Sequence, residues 1–407
     1  MTRTIVVGAG MVGLATAWHL QERGVEVTVI DRVGVAAGSS WGNAGWLTPG
    51  KTIPLADTGL WTYGPKALLD PDAALHVPFR VDAGLWSFLA QFAAHGTNRA
   101  WDRTMASLTP IDKMALECFD ELLDGGVDSW TREGPFVIGF KQEADSKGFL
   151  HEIEGVVRHG QEVPFERLEN PRELAPVLSD AVTHVYRLDG QRFFEPAPFV
   201  EALGEAVVAR GAELITGLEV TDVSSTRRPV VALSNGERME ADSVVIATGA
   251  WMPRLARRLG VRTRVQAGRG YSFTVATAQP QEHPVYFPFQ RIACTPYQGR
   301  FRIAGTMEFR GPDEPFQPRR IQAIIAQARE MFQGIDFEER QDEWMGSRPV
   351  TPDGLPLVGA TQAPNVYVAG GHGMWGIVLG PATGKLLAEQ ITTGRIHPAI
   401  EPFDPLR

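Results

Sequence analysis

The stretch Val6-Val7-Gly8-Ala9-Gly10-Met11-Val12-Gly13 constrains this chain more than any other. It is a GxGxxG loop, and its flanks carry as much information as its glycines. Thr4 to Val7 predict a short buried strand. Met11 to Arg23 predict a helix with Leu14, Ala17, Trp18 and Leu20 on its inner side. Gly24 closes that helix, and Val25 to Ile30 predict a second strand ending at Asp31. Each glycine has its own task. Gly8 permits the tight turn, Gly10 lets the backbone come against a pyrophosphate, and Gly13 lets helix and strand pack closely. Unpaired N–H groups and the helix dipole favour an anion at the helix start. Asp31 falls roughly 20 residues on, where a carboxylate accepts a hydrogen bond from a ribose 2′-OH. The stretch therefore predicts a dinucleotide-binding unit.

With 407 residues and 43% hydrophobic content, the chain can bury a large core spread over two or three domains. A net charge of −9, with no basic run, argues against a partner that is a nucleic acid. Cys118 and Cys294 lie far apart, without CxxC pairing or metal-ligand spacing. We therefore expect a cytoplasmic protein with neither disulfides nor a metal. There is no run of about 18 apolar residues, so no transmembrane helix is expected. Because the chain goes straight into a buried strand, no secretory or transit segment is expected.

After Asp31 comes Gly38-Ser39-Ser40-Trp41-Gly42-Asn43-Ala44-Gly45, small and hydroxyl-bearing, suited to approaching a ligand and donating to phosphate. Residues 53–105 are rich in aromatics, and Gly84 to His95 are amphipathic at helical spacing. Core packing accounts for them best, with a membrane or partner surface as the alternative. Helices are expected over Ser107 to Asp124 and Glu143 to His159. Strands are expected over Gly134 to Phe140 and Val182 to Leu188, with Leu174 to Pro176 as a helix end and Asp189-Gly190 as a turn. Pro198 to Arg210 predict a helix. Ser234-Asn235-Gly236 signal a hairpin between Val230–Leu233 and Arg238–Glu240. Val244 to Ala247 form a buried strand leading into Thr248-Gly249-Ala250-Trp251, a second turn of small residues. Residues 270–344 alternate as sheet, with a helix over Arg319 to Phe332. Val366 to Ala369 form a strand before Gly370-Gly371-His372-Gly373-Met374-Trp375-Gly376, and Pro381 opens the last helix.

Together these blocks resemble the FAD-dependent amine oxidoreductases of the D-amino-acid oxidase and glycine oxidase type, and look most like bacterial D-amino-acid dehydrogenases. The opening loop, Ser39-Ser40, Gly42 to Gly45, Ala247 to Trp251, Arg348-Pro349-Val350-Thr351-Pro352-Asp353-Gly354 and Gly371-His372-Gly373 carry the likeness, which spans nearly the whole chain. It implies an α/β, Rossmann-like FAD-binding domain of glutathione-reductase type over 1–80, 189–270 and 345–407. This would be interleaved with an α+β substrate domain with a mixed or antiparallel sheet over 81–188 and 271–344. It implies non-covalent FAD, because no Cys follows Cys294. The diphosphate would lie on Gly8, Ala9, Gly10, Met11, Val12 and Gly13, with Asp31 on the ribose and Arg32 close by. Ser39 and Ser40 would contact the diphosphate, and Asn43, Ala44 and Gly45 the flavin. Val220 would line the adenine, and Thr248, Gly249 and Trp251 would approach from the second turn. Gly371, His372, Gly373, Met374, Trp375, Gly376 and Ile377 would cover the flavin pyrimidine edge.

The likeness further implies that Arg348 holds the substrate carboxylate beside the flavin, since a planar fork grips a carboxylate with two parallel bonds. Tyr271 and His372 are the other candidates for the catalytic centre. The implied reaction oxidises a D-amino acid to an imino acid, which hydrolyses to a 2-oxo acid and ammonia. Alternatives are oxidation of secondary amines such as proline, hydroxyproline, sarcosine or glycine, and a flavin subunit or non-catalytic flavin scaffold in a larger complex. Electrons would pass to a quinone or partner protein rather than O2, with peripheral contact on the inner membrane face as one route.

Overall fold

The computed structural model describes residues 2–407. Its opening strand, Arg3–Val7, is central in a six-stranded sheet. Parallel neighbours are Glu26–Asp31 on one side and Ser243–Ile246 on the other, extended outward by Glu213–Thr216 and Val366–Gly370. Leu357–Ala360 closes the sheet antiparallel to Val366–Gly370. Strand periodicity divides the core between the two faces. Val6 points to a helical layer with Leu14, Leu203 and Leu386, whereas Ile5 and Val7 point to Val223, Val231 and Leu233. These last three belong to a small antiparallel sheet, Val220–Ser225, Pro229–Leu233 and Arg238–Glu240, whose second turn is the expected hairpin.

The helical layer is built from Met11–Glu22, Pro196–Ala209 and Gly376–Thr393. A Cβ on Gly384 would lie 2.6 Å from Ala15 C and Thr16 N, so the first and last helices meet backbone to backbone. The last helix starts at Gly376, not at Pro381, which lies inside it. The proline ring is accommodated in the second turn, and the preceding glycines supply the helix start. Helices Asn98–Asp112 and Ala115–Asp124 join the same layer through Leu108, Ile111, Cys118 and Phe119.

A second sheet of ten strands stands beside the first. Its main path runs Gln341–Val350, Gln266–Val275, Arg300–Phe309, Ile292–Tyr297, Val285–Phe287, Arg132–Phe140, His184–Phe193 and Trp46–Leu47. It is antiparallel except where Val285–Phe287 meets Arg132–Phe140 and where the short strand Leu75–His76 joins Arg300–Phe309. The expected turn at Asp189-Gly190 is instead a bulge within His184–Phe193. There the pairing shifts register between Gly134 and Phe136, so the strand continues past Gly190 at φ +72°. The helix end expected at Leu174 to Pro176 closes a single short turn, Pro171–Glu173, with Leu174 as its C-cap.

The aromatic segment divides. In helix Ala83–Ala94, Leu85, Phe88 and Phe92 are buried, with Phe88 5.3 Å from Phe309. Trp61, Leu69, Phe79 and Val81 face outward. Both cysteines are free and buried. Among the described residues, no helix is long and apolar enough to cross a membrane.

The architecture is thus an α/β Rossmann-like domain joined to a domain built on a mixed, largely antiparallel sheet.

Candidate active site

A cavity of about 370 Å³ opens at the carboxyl ends of the parallel strands, where the two sheets meet. Gly8 turns at φ +116°, and a Cβ there would fall 2.5 Å from Ala247 O. Gly13 is packed from behind, since its Cβ would lie 2.0 Å from Gly8 O. Gly10 N-caps helix Met11–Glu22, which has no side-chain cap bond and no acid in its first turn. Helix Gly376–Thr393 also starts without a side-chain cap or a first-turn acid. Gly10, Met11, Val12, Gly376 and Ile377 line the cavity, so two helix starts bring partial positive charge to one space.

Asp31 stands at one end of the cavity. Its Oδ2 accepts from Ala9 N at 2.9 Å, and its Oδ1 accepts from Val33 N at 2.8 Å and Gly34 N at 3.0 Å. This ties the first loop to the second strand. Arg32, Val220, Thr248, Gly249 and Trp251 complete that end. Thr248 Oγ1 is buried there without a protein partner. Toward the middle, Ser40 Oγ accepts from Met11 N at 3.3 Å and Ser39 Oγ donates to Ser347 O at 2.5 Å. Asn43 lines the cavity, and its Oδ1 accepts from Gly45 N at 2.9 Å. The second sheet grips the same loop: Ser272 Oγ donates to Gly42 O at 2.9 Å, and Thr295 Oγ1 to Ala44 O at 2.6 Å.

Arg348 reaches the cavity from strand Gln341–Val350, paired opposite Gly268. Its guanidinium lies over Gly270, where a Cβ would fall 1.9 Å from Nη1 and 2.1 Å from Cζ. Nη1 makes one long bond, 3.4 Å, to Thr306 O. Burial alone lowers its pKa to about 10, with no carboxylate among the described residues offsetting the desolvation. A desolvated cation facing a cavity calls for an exogenous anion. His372 also lines the cavity. Its Nε2 is 3.0 Å from Thr383 Oγ1, and burial lowers its pKa to about 4, so the ring is neutral near pH 7.

Tyr271 does not reach this space. It follows Gly270 in the strand, so it points to the opposite face, where it is fully buried. Its hydroxyl donates to Glu308 Oε1 at 2.5 Å, and Glu308 also takes Arg310 Nε at 2.9 Å. Burial first, and then this bond, raise the phenol pKa. Ala9, Gly13, Ala44, Gly45, Gly371 and Trp375 lie behind the lining rather than in it. Gly45 and Gly371 both need φ +73°, and Trp375 Nε1 donates to Ile53 O at 2.9 Å. Gly373 and Met374 line the cavity between Arg348 and the last helix. Arg254, Leu218 and Glu219 line it too, though no motif marks them. Arg254 is three residues past Trp251, on the same side of a helical turn, and that spacing was the available signal.

The arrangement fits FAD: two uncapped helix starts, a close-approach loop, an orphaned hydroxyl at Thr248 and an elongated seam between sheets. Comparison with known proteins agrees. The family model described as FAD dependent oxidoreductase (DAO) matches residues 3–390. Glycine oxidase from Geobacillus kaustophilus superposes with a TM-score of 0.75 at 23% identity, covering 100% of this chain and 99% of that one. L-proline dehydrogenase from P. horikoshii gives 0.74 at 18% identity, covering 100% and 97%. Iminodiacetate oxidase from Chelativorans sp. BNC1 gives 0.71 at 19%, covering 99% of each. The chain therefore belongs to the FAD-dependent oxidoreductase (DAO) family, with FAD as its cofactor.

Proposed function

We propose that this protein oxidises the Cα–N bond of amino acids, with D-amino acids as its substrates, to imino acids that hydrolyse to 2-oxo acids and ammonia. One observation carries the reading: Arg348 is a desolvated guanidinium at the cavity, and no carboxylate among the described residues offsets its burial. In this reading Gly8, Gly10, Ser39 and Ser40 hold the FAD diphosphate, and Asp31 and Val220 bound the adenosine. Bound FAD supplies the acceptor for the hydride that leaves Cα.

The residues of the chain do the rest. Arg348 fixes the substrate carboxylate with two parallel donors and so sets the direction of the Cα–H bond. Alignment of this kind can contribute ~7–11 kcal/mol of barrier lowering. The N–H groups at Gly376 and Ile377 favour negative charge where electrons arrive. His372 is neutral and engaged with Thr383, so it shapes the wall rather than taking a proton. The substrate amine must enter neutral, so that its lone pair assists hydride departure.

Structural neighbours that are a glycine oxidase, an L-proline dehydrogenase and an iminodiacetate oxidase favour a second reading, the same chemistry on a small or secondary amine. As acceptor we favour a quinone or a partner protein over O2, and the outward-facing Trp61, Phe79 and Val81 supply an apolar surface for it.

The test is anaerobic mixing of the yellow holoenzyme with D- and L-amino acids, glycine, sarcosine, proline and hydroxyproline, following flavin absorbance. Bleaching by D-amino acids supports the first reading. Bleaching only by secondary amines or glycine selects the second. No bleaching by any of them refutes both.

A further inference from the structure

Four residues converge outside the chemistry described so far. Strand Arg300–Phe309 of the second sheet leads into a loop whose tip is Pro312-Asp313. The loop is braced at both ends. Glu314 Oε1 accepts from Gly311 N at 2.7 Å and from Arg80 Nη1 at 2.5 Å, and Arg269 Nη2 donates to Pro315 O at 2.7 Å. The tip reaches across to the first domain, where Trp251 Nε1 donates to Asp313 Oδ1 at 2.7 Å. Arg254 Nη2 donates to Asp313 Oδ2, and Arg32 Nη2 lies 3.5 Å from Oδ1. Arg32 also stacks on the Trp251 ring, with Cζ 4.2 Å from its centroid.

Arg32, Trp251 and Arg254 all line the cavity, at the end bounded by Asp31 and Val220, whereas Asp313 stands outside the lining. One carboxylate thus gathers three groups of the cavity wall and ties them to the opposite sheet. These groups are partly exposed, with side-chain accessibility of 34% for Arg32, 47% for Asp313 and 50% for Arg254. Contacts of that kind are individually weak and screened by salt, so they suit a fastening that opens. At this end Asp313 supplies side-chain hydrogen bonds and an ion pair that tie Trp251, Arg254 and Arg32 to the second sheet.

We propose that Asp313 is an electrostatic clasp across the adenosine end of the FAD site, and that FAD enters and leaves only when the clasp to Trp251, Arg254 and Arg32 is undone. Asp313 acts through these three residues and is a positioning residue, not a catalytic one. It therefore governs the rates of FAD uptake and release more than the affinity.

The test reads FAD release from the holoenzyme as the rise in free-flavin fluorescence after dilution, at low and high NaCl. For Asp313→Asn we expect release about tenfold faster and uptake by apoprotein accelerated in step. Release from the native protein should speed up with salt, and that dependence should shrink in the variant. Arg254→Gln should also speed release, and combining it with Asp313→Asn should add little, because both break one contact. Thermal unfolding of each apoprotein separates a folding defect from a clasp defect. If Asp313→Asn fails to fold, Asp313→Ala, which leaves every residue of the cavity lining in place, is measured instead. Unchanged or slower release in the readable variant overturns the proposal. Additive effects of the two substitutions also overturn it, since Arg254 would then act on the cofactor independently of Asp313.

Discussion

Gly270→Ala is the sharpest probe of the carboxylate site. The added Cβ would sit 1.9 Å from Arg348 Nη1 and 2.1 Å from Cζ and Nη2. Ordinary contact needs about 3.5 Å, so the guanidinium must shift by roughly 1.5 Å. Gly270 lies within a strand and is absent from the positive-φ residues, so its backbone accepts alanine. The atoms displaced are the far end of a long side chain, which moves without disturbing the sheet. Alanine in a strand interior even regains about 0.5–1 kcal/mol relative to glycine. Stability should therefore change by no more than ~1 kcal/mol.

Recognition should suffer far more. A misplacement of about 1 Å at an aligned site costs on the order of 100-fold. The assay is the anaerobic reductive half-reaction with the best amino acid of the panel, titrated to saturation, beside Tm and FAD content. We expect the apparent Kd to rise about 100-fold with Tm and FAD retention intact. A simple carboxylate that perturbs the flavin spectrum should lose affinity in parallel. A Kd within about twofold of the native value, with the variant folded, refutes the assignment of Arg348 to the carboxylate.

Arg348→Lys should raise KM strongly, by about 100-fold, because an ammonium cannot present two parallel donors; steady-state kinetics with a near-normal KM contradict the assignment. Gly13→Ala forces a Cβ to 2.0 Å from the Gly8 carbonyl, which is backbone and cannot step aside. We expect a loss of roughly 3 kcal/mol, read as a lower urea midpoint of the apoprotein. His372 and His19 stay neutral in the folded chain because burial lowers their pKa from 6.5 to about 4 and about 3. The unfolded chain therefore binds the extra protons first, so stability is full above pH 6.5 and falls as pH drops toward 4. For His372 the gap is worth about 3 kcal/mol at ~1.4 kcal/mol per pH unit. Urea midpoints between pH 7 and pH 5 should fall with pH, and His372→Gln should flatten that slope.

Local features were legible in the sequence. The first loop, the hairpin at Asn235-Gly236 and the strands on either side of helix Met11–Glu22 depend on neighbours a few residues apart, and the structure has them as expected. Features set by distant partners were not. The apolar stripe Leu108, Ile111, Ala115, Cys118, Leu122 keeps its phase across the break between Asp112 and Ala115, so periodicity alone predicts one helix there. Asp189-Gly190 reads as a turn until the opposite strand shows it to be a bulge. Tyr271 is a plausible site residue by type, and only the position of Gly270 against Arg348 shows which face of the strand is the cavity's. Asp313 could not be found at all, since its partners lie 59 and 62 positions away in the chain.

The contact between helices Met11–Glu22 and Gly376–Thr393 has a consequence for synthesis. The parallel sheet takes its central strand from the start of the chain and two strands from its last sixth, with Ser243–Ile246 in between. Helix Met11–Glu22 therefore waits until helix Gly376–Thr393 has left the ribosome before it meets that partner. Until then Leu14, Ala15 and Trp18 have no final helix to cover them. Long-range closure of this kind is slow and exposes apolar surface while it is pending. Cofactor loading must then be a late event, and truncation before the last helix should leave an insoluble chain rather than a weaker enzyme.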